Sequence, residues 1–220
     1  AGIPEAVVKQ SPIRVVPLKT GGVQVICRHM ASCVASATAV RFQHVYTIRP
    51  DGTILVENVF TVDKMLADLP RLGVRLVLAP GFENLAWFGR GPFENYWDRK
   101  RAAMVDRYSD TVAGQYIPYI LPQEHGNHTD TRWLTLDNGR TSLRIAALGP
   151  LEFSASHFKA EDLFAAFHTY DLRPRPETIL SMDFRQRGLG TASCGPDTFA
   201  PYRIPAGRHA WNYLIEAKNI

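Results

Sequence analysis

Glu124 is followed directly by His125 and, three residues later, by His128. A carboxylate beside imidazoles can serve two chemistries. As base and acid, they would move protons between bound groups. As ligands, the same groups would hold a metal ion. On a strand or loop that spacing is not diagnostic, and no third clear ligand follows, so no metal site is expected. The plainer expectation is a loop carboxylate held by Arg132 or Arg99, with exposed histidines. Cys194, in Ser193-Cys194-Gly195-Pro196, has no neighbour in sequence that would lower its pKa, so a thiolate nucleophile is not expected. It reads equally as a small, buried loop residue and as a direct site contact. His168 and Tyr170 read as helix-end capping or core packing.

The stretch from Leu69 to Thr135 gathers aromatics, glycines and charges without a simple strand pattern. Gly89-Arg90-Gly91-Pro92 reads as a tight, irregular turn, because Pro92 cannot donate to a ladder. Glu94, Asp98, Arg99, Glu124, Asp130 and Arg132 can pair as hydrogen-bonded ions between loops. Flat aromatic faces beside carboxylates, amides and arginines also suit a sugar, whose apolar ring faces stack while its hydroxyls bond. On physics alone, loops that satisfy one another are the favoured reading. Trp87, Trp97, Trp133 and Trp211 read mostly as core. Trp97 is the most exposed of them because it lies among charged residues.

The elements that would position these groups are strands. Short alternating runs separated by turn residues are the pattern of a sandwich or barrel. Val23–Cys27, Thr38–Ile48, Thr53–Thr61, Gly73–Leu78, Leu85–Phe88, Arg132–Leu136, Ser142–Ala147, Leu151–Ser156, Thr178–Gln186 and His209–Ile215 each read as strands. Asp51-Gly52 and Asp137-Asn138-Gly139 are hairpin signals, and Pro205–Gly207 is a turn before the last strand. One short helix is expected, from about Lys159 to Phe167, with Ala160, Leu163, Phe164 and Phe167 at helical spacing. Met65–Arg71 is the least strand-like piece of the first half and is expected to link two sub-sheets. The helices that a parallel sheet needs between its strands are missing. The expected fold is therefore a single all-β domain over residues 1–220, with two large antiparallel sheets packed face to face.

Composition agrees. In 220 residues, 45% hydrophobic and 21% charged, there is enough apolar side chain for a real core. The net charge of +4 is scattered, and even Arg99-Lys100-Arg101 is flanked by Asp98 and Asp106, so no nucleic-acid stripe is expected. No apolar run approaches a membrane span. Ala1–Gln10 lacks the basic start and apolar stretch of a signal peptide. Ala1 in place of Met fits an excised or processed chain. Cys27, Cys33 and Cys194 are too few for a disulfide scaffold. Cys27 and Cys33 would pair only if their strands met, and buried free thiols are the expectation.

Two runs carry a resemblance. "WFGRGPFENYWDR" (residues 87–99) and "YIPYILPQEHGNHTDTRWL" (residues 116–134) resemble the C-terminal domain of the large LacZ-type β-galactosidases of glycoside hydrolase family 2. "FSASHFKAEDLFAAFHTYDL" and the late loop "GLGTASCGPD" are similar to the same domain, so the likeness runs from about Leu69 to the end and more loosely before it.

The resemblance implies an antiparallel β-supersandwich of galactose mutarotase-like fold, the last domain of a longer chain. The catalytic barrel would be separate. Retaining hydrolysis needs two carboxyl groups about 5–5.5 Å apart. In that family both belong to the barrel, so no catalytic residue is expected here. The implied role is accessory: a galactoside as substrate, the remaining domains of the parent as partners, and an oligomeric parent. The chain itself would need no cofactor, although the family often uses Mg and Na in other domains. The candidate substrate-binding positions are Cys194, Ser193, Trp97, Glu124 and His125. In some relatives the late loop bears a stacking Trp where Cys194 stands, and a thiol offers no stacking face. An aldose 1-epimerase-like enzyme and a galactose-binding module are the alternatives. The compartment stays open between cytoplasm and periplasm.

Overall fold

The computed structural model describes residues 6–33, 39–66, 68–192 and 194–220. Thirteen strands and one short α-helix follow one another among them. They are β1 (Ala6–Gln10), β2 (Arg14–Pro17), β3 (Val23–Cys33), β4 (Ala39–Ile48), β5 (Ile54–Val62), β6 (Arg71–Leu78), β7 (Asn84–Gly91), β8 (Met104–Thr111), β9 (Trp133–Asp137), β10 (Thr141–Ala147), β11 (Glu152–Ser156), α1 (Ala160–Ala165), β12 (Thr178–Gln186) and β13 (Gly207–Asn219). Every strand pair is antiparallel.

The expectation of two large sheets is corrected. Ten strands form one sheet, ordered β1-β3-β4-β5-β13-β10-β9-β7-β8 with β2 also on β3, and only β11-β12-β6 form the other. The reason is β13. Its thirteen residues pair with β5 from Gly207 to Ile215 and with β10 from Tyr213 to Asn219, so one long strand welds the early meander to the later one. The link expected over Met65–Arg71 does change sheets, since β5 lies in the large sheet and β6 in the small one.

The two hairpin signals hold. At Asp51-Gly52 the Asp51 carboxylate accepts the Thr53 N–H at 2.9 Å, and Gly52 takes φ +83, where a side chain would be strained. At 137–139, Asn138 Oδ1 accepts the N–H groups of Arg140 and Thr141.

Gly89-Arg90-Gly91 is strand, not turn. The residues pair with Asp106, Val105 and Met104 of β8, and Pro92 only follows the strand end. The glycines serve close packing: a Cβ on Gly91 would lie 2.7 Å from the Tyr108 ring. β8 itself was not foreseen. It is an exposed edge strand carrying Asp106, Arg107 and Asp110, which blunt the edge and erase the alternation. The helix is shorter than expected because its apolar positions do not make one face: Leu163 is buried while Phe164 and Phe167 stand in solvent.

One core joins both sheets. Leu134, Leu136, Ile145 and Trp87 of the large sheet pack with Phe153, Leu180 and Met182 of the small one. Cys27 and Cys33 sit on one strand six residues apart, about 20 Å, which rules out a bridge between them. Cys27 is a free thiol. No described helix is long and apolar enough to cross a membrane.

Leu134 is fully buried at the centre of this core. Leu134→Ala should therefore lower unfolding free energy by about 2–5 kcal/mol. Urea titration checks this, with the midpoint falling and the slope unchanged.

Candidate functional site

The two motif-bearing segments are halves of one hydrogen-bonded layer. Asn95 donates its backbone N–H to Asn127 O at 2.7 Å, and its Oδ1 accepts both the N–H and the hydroxyl of Thr129. Asn127 returns a bond from Nδ2 to Asn95 O at 3.0 Å and a second to Glu152 Oε2 at 3.1 Å. Glu94 collects donors from Arg99, Tyr96, Tyr119 and the Gly126 N–H. Burial pushes its carboxyl up, but these donors outweigh burial and leave it below the usual range.

His128 is wholly buried between Trp87 and Phe153, with Nε2 2.6 Å from Gln115 Oε1 and Nδ1 3.1 Å from Arg90 O. Burial lowers its pKa to about 4, so it stays neutral. His125 is buried too, with Nδ1 on Gln123 O at 2.9 Å and its ring edge-on to Tyr116. The expectation of exposed histidines is corrected: both rings fill apolar space beneath their loop.

Glu124 is held neither by Arg132 nor by Arg99. Its partner is Arg71 at the start of β6, which also grips the buried Asp183 at 2.7 Å. Arg99 is taken by Glu94, and Arg132 lies over the Phe88 ring and donates to the Asp130 carbonyl. No imidazole comes to Glu124 among the described contacts. His157 pairs with Glu83 at 2.7 Å, and His168 lies exposed on Tyr170.

Trp97 and the late loop come together. Asp98, next to Trp97, accepts the N–H groups of Leu189 at 3.0 Å and Gly190 at 2.8 Å. Gly188 must be glycine, since a Cβ there would sit 2.7 Å from the Asp98 carboxyl carbon. Arg187 fastens the far side, with both Asp197 oxygens at 2.8 Å and Asp68 at 2.7 Å. At the tip, Cys194 N–H donates to Thr191 O, and the residue is exposed, which corrects the buried reading. Ser193 lies outside the described residues. Trp97 is half-buried and borders clefts of about 410 and 740 Å³. Glu124 and His125 line a different and much smaller recess with Arg71 and Arg75. Of the four described positions, Glu124 and His125 thus line a recess that Trp97 and Cys194 do not.

Sequence reasoning missed Glu152, Asp183, Gln186 and Arg71. Glu152 is a buried carboxyl whose pKa burial raises to about 7, against the hydrogen bonds of Gln186 N–H and Asn127. The signal was present: an acidic residue between Leu151 and Phe153 in a run that reads as a strand. No group of three or more His, Cys, Asp or Glu among the described residues is placed to hold a metal ion.

The characteristic sequence pattern of the β-galactosidase small chain matches residues 7–215. This chain belongs to that family. Among its relatives, the β-galactosidase of Priestia megaterium is 35% identical over 147 residues, which is 66% of this chain and 14% of that protein. That of Staphylococcus xylosus is 31% identical over 157 residues, 71% of this chain and 16% of its own length. That of Actinobacillus pleuropneumoniae is 33% identical over 159 residues, 72% and 15% respectively. The small-chain domain therefore spans about one seventh of these relatives.

Two outcomes follow. Asp98→Ala should strand two loop N–H groups, cost about 1–3 kcal/mol, and speed hydrogen exchange at residues 189 and 190 more than elsewhere. Between pH 4.5, the ordinary value, and about 7, Glu152 is protonated in the fold and ionised when unfolded. Stability must then fall as pH rises through that window, by on the order of 3 kcal/mol, and level off above it. The buried Asp183, also raised by burial against Arg71, tilts the curve the same way. Glu152→Gln keeps an acceptor for both donors, so denaturation midpoints between pH 5 and 7 should slope less than in the wild type.

Proposed function

We propose that this chain is an accessory domain of a β-galactosidase, completing or supporting a galactoside site whose chemistry lies elsewhere in a longer parent. The observations that carry the reading are the small-chain match along residues 7–215 and the likeness over 147 residues to 14% of a protein named β-galactosidase. On this reading the parent is a retaining enzyme of glycoside hydrolase family 2, oligomeric, with its two working carboxyl groups in a separate barrel. Its remaining domains and the galactoside are this chain's partners, and no cofactor is bound here.

The state of the acidic groups supports it. A nucleophilic carboxylate must be free to bond the anomeric carbon. Glu94 holds four donors, Asp130 is shared by Arg90 and Lys100, and Glu124 is tied to Arg71. Trp97 and the loop bearing Ser193 and Cys194 form the edge proposed to meet substrate. Because Cys194 offers no ring, the aglycone would be met by another group. The epimerase alternative needs a Glu and a His converging on one point; His125 shares a recess with Glu124 but turns Nδ1 to the Gln123 carbonyl, and His157 is taken by Glu83.

The chain alone should release no nitrophenol from nitrophenyl β-galactoside. It should restore release when joined to a Priestia megaterium-type β-galactosidase lacking its own matching segment. Hydrolysis by the chain alone overturns the reading. So does faster mutarotation of fresh α-galactose by polarimetry, if Glu124→Gln abolishes it.

A further inference from the structure

β12 pairs with β6 in register up to Asp183, which faces Gly73; the next pair is Arg185 with Leu72, and Phe184 is the extra residue of a bulge. Bulges re-aim side chains. In a regular strand residues 183 and 186 point to opposite faces. Here Gln186 Nε2 approaches Asp183 Oδ2 at 3.4 Å, and Arg185 is turned into the 410 Å³ cleft beside it. Its guanidinium carbon lies 3.1 Å from the centre of the Trp97 ring. Stacking fixes the plane of the fork but supplies no acceptor for its N–H groups.

The surrounding arginines all have acceptors. Arg71 has Glu124 and Asp183, Arg90 has Asp130, Arg99 has Glu94, Arg187 has Asp68 and Asp197, and Arg132 has the Asp130 carbonyl. Arg185 has none among the described residues, and its Nε is buried without a partner. Burial makes its charge harder to hold. Two acids, Asp130 and Glu152, line the cleft and act on Arg185 through space without bonding it, but Asp130 is already shared by Arg90 and Lys100, and Glu152 is claimed by Asn127 and Gln186. Lys100 and Arg132 line the same cleft, so its field favours an anion. Its volume falls within the roughly 300–1,000 Å³ of small-molecule sites.

We propose that this cleft binds an oxyanion, a carboxylate or phosphate group of a small ligand, on the fork of Arg185 with Trp97 as its backing plane. A planar guanidinium held by stacking matches two oxygens of such a group. The proposal rests on Arg185, Trp97 and their cleft and not on the galactosidase reading, so the hydrolytic assays above do not bear on it.

The test is a titration of the ¹⁵N-labelled chain, following the Arg185 Nε–H and Trp97 indole N–H resonances at constant ionic strength. The probes are inorganic phosphate, galactose 6-phosphate, galacturonate and neutral galactose. A saturable shift with at least one of the three anions and none with galactose is expected, at least about tenfold weaker in Arg185→Gln. If that variant does not fold, Arg185→Lys keeps the charge without the fork and should weaken binding similarly. Equal affinity for inorganic phosphate and the sugar anions identifies the oxyanion itself as the ligand. Tighter binding of the sugar anions adds the ring to it. No saturable shift, the same shift with neutral galactose, or binding unchanged in the Arg185 variants overturns the proposal.

Discussion

Polar groups buried between two sheets must find one another, and much of this fold is arranged to meet that demand. Asn95, Asn127, Glu152, Asp183 and Gln186 are all buried. Each would cost on the order of 1–3 kcal/mol if left unpaired. They are joined instead in a chain that runs from Asn95 through Asn127 and Glu152 to Gln186 and Asp183, and on to Arg71 and Glu124. The members come from the loops after β7 and before β9 and from β6, β11 and β12. A chain of this kind closes only when all of those segments are in register. It therefore fixes how the small sheet sits on the large one in a way that apolar packing alone does not.

The same demand explains the irregularities. The bulge in β12 lets Asp183 and Gln186 share a side, and Arg185 is displaced outward as a result. The glycines at 89 and 91 let Thr131 and Tyr108 close on β7, which brings the segment carrying Asn127 and His128 over the sheet. On the far side, Asp98 receives a loop that has no ladder of its own. Motifs that look like a binding signature in sequence are in large part the cross-links of a sandwich whose small sheet has only three strands.

What could be read in the sequence follows from range. The hairpins at Asp51-Gly52 and Asp137–Gly139, the alternation in β5 and the sheet change over Met65–Arg71 are local, and local pattern carried them. Which carboxylate meets which arginine is not local. Arg71 and Glu124 are fifty-three residues apart, and Arg71 and Asp183 one hundred and twelve, so Glu124 was assigned to the nearer Arg99 or Arg132. β8 was hidden because an edge strand with charges on both sides has no period to detect. The histidines misled for a similar reason. In a loop rich in polar residues they read as exposed, yet the loop lies on Trp87, Phe153 and Tyr116, which are distant in sequence. The resemblance supplied the family, but not which groups touch.

These constraints also sort the acidic residues by what they are free to do. Glu94, Asp98, Asp130, Asp197 and Glu124 each accept from two or more donors or from an arginine, and removing any of them would unfasten a loop. Such groups hold the fold together, and cutting one loosens the loop it fastens. A domain built this way suits holding an edge still beside another domain's chemistry. Arg185 is an exception to this pairing, left over where the bulge turns Asp183 Oδ2 toward Gln186 and Arg71. Burial disfavours its charge while Glu152 and Asp130 favour it only through space, so it is the cation that the proposed oxyanion would neutralise.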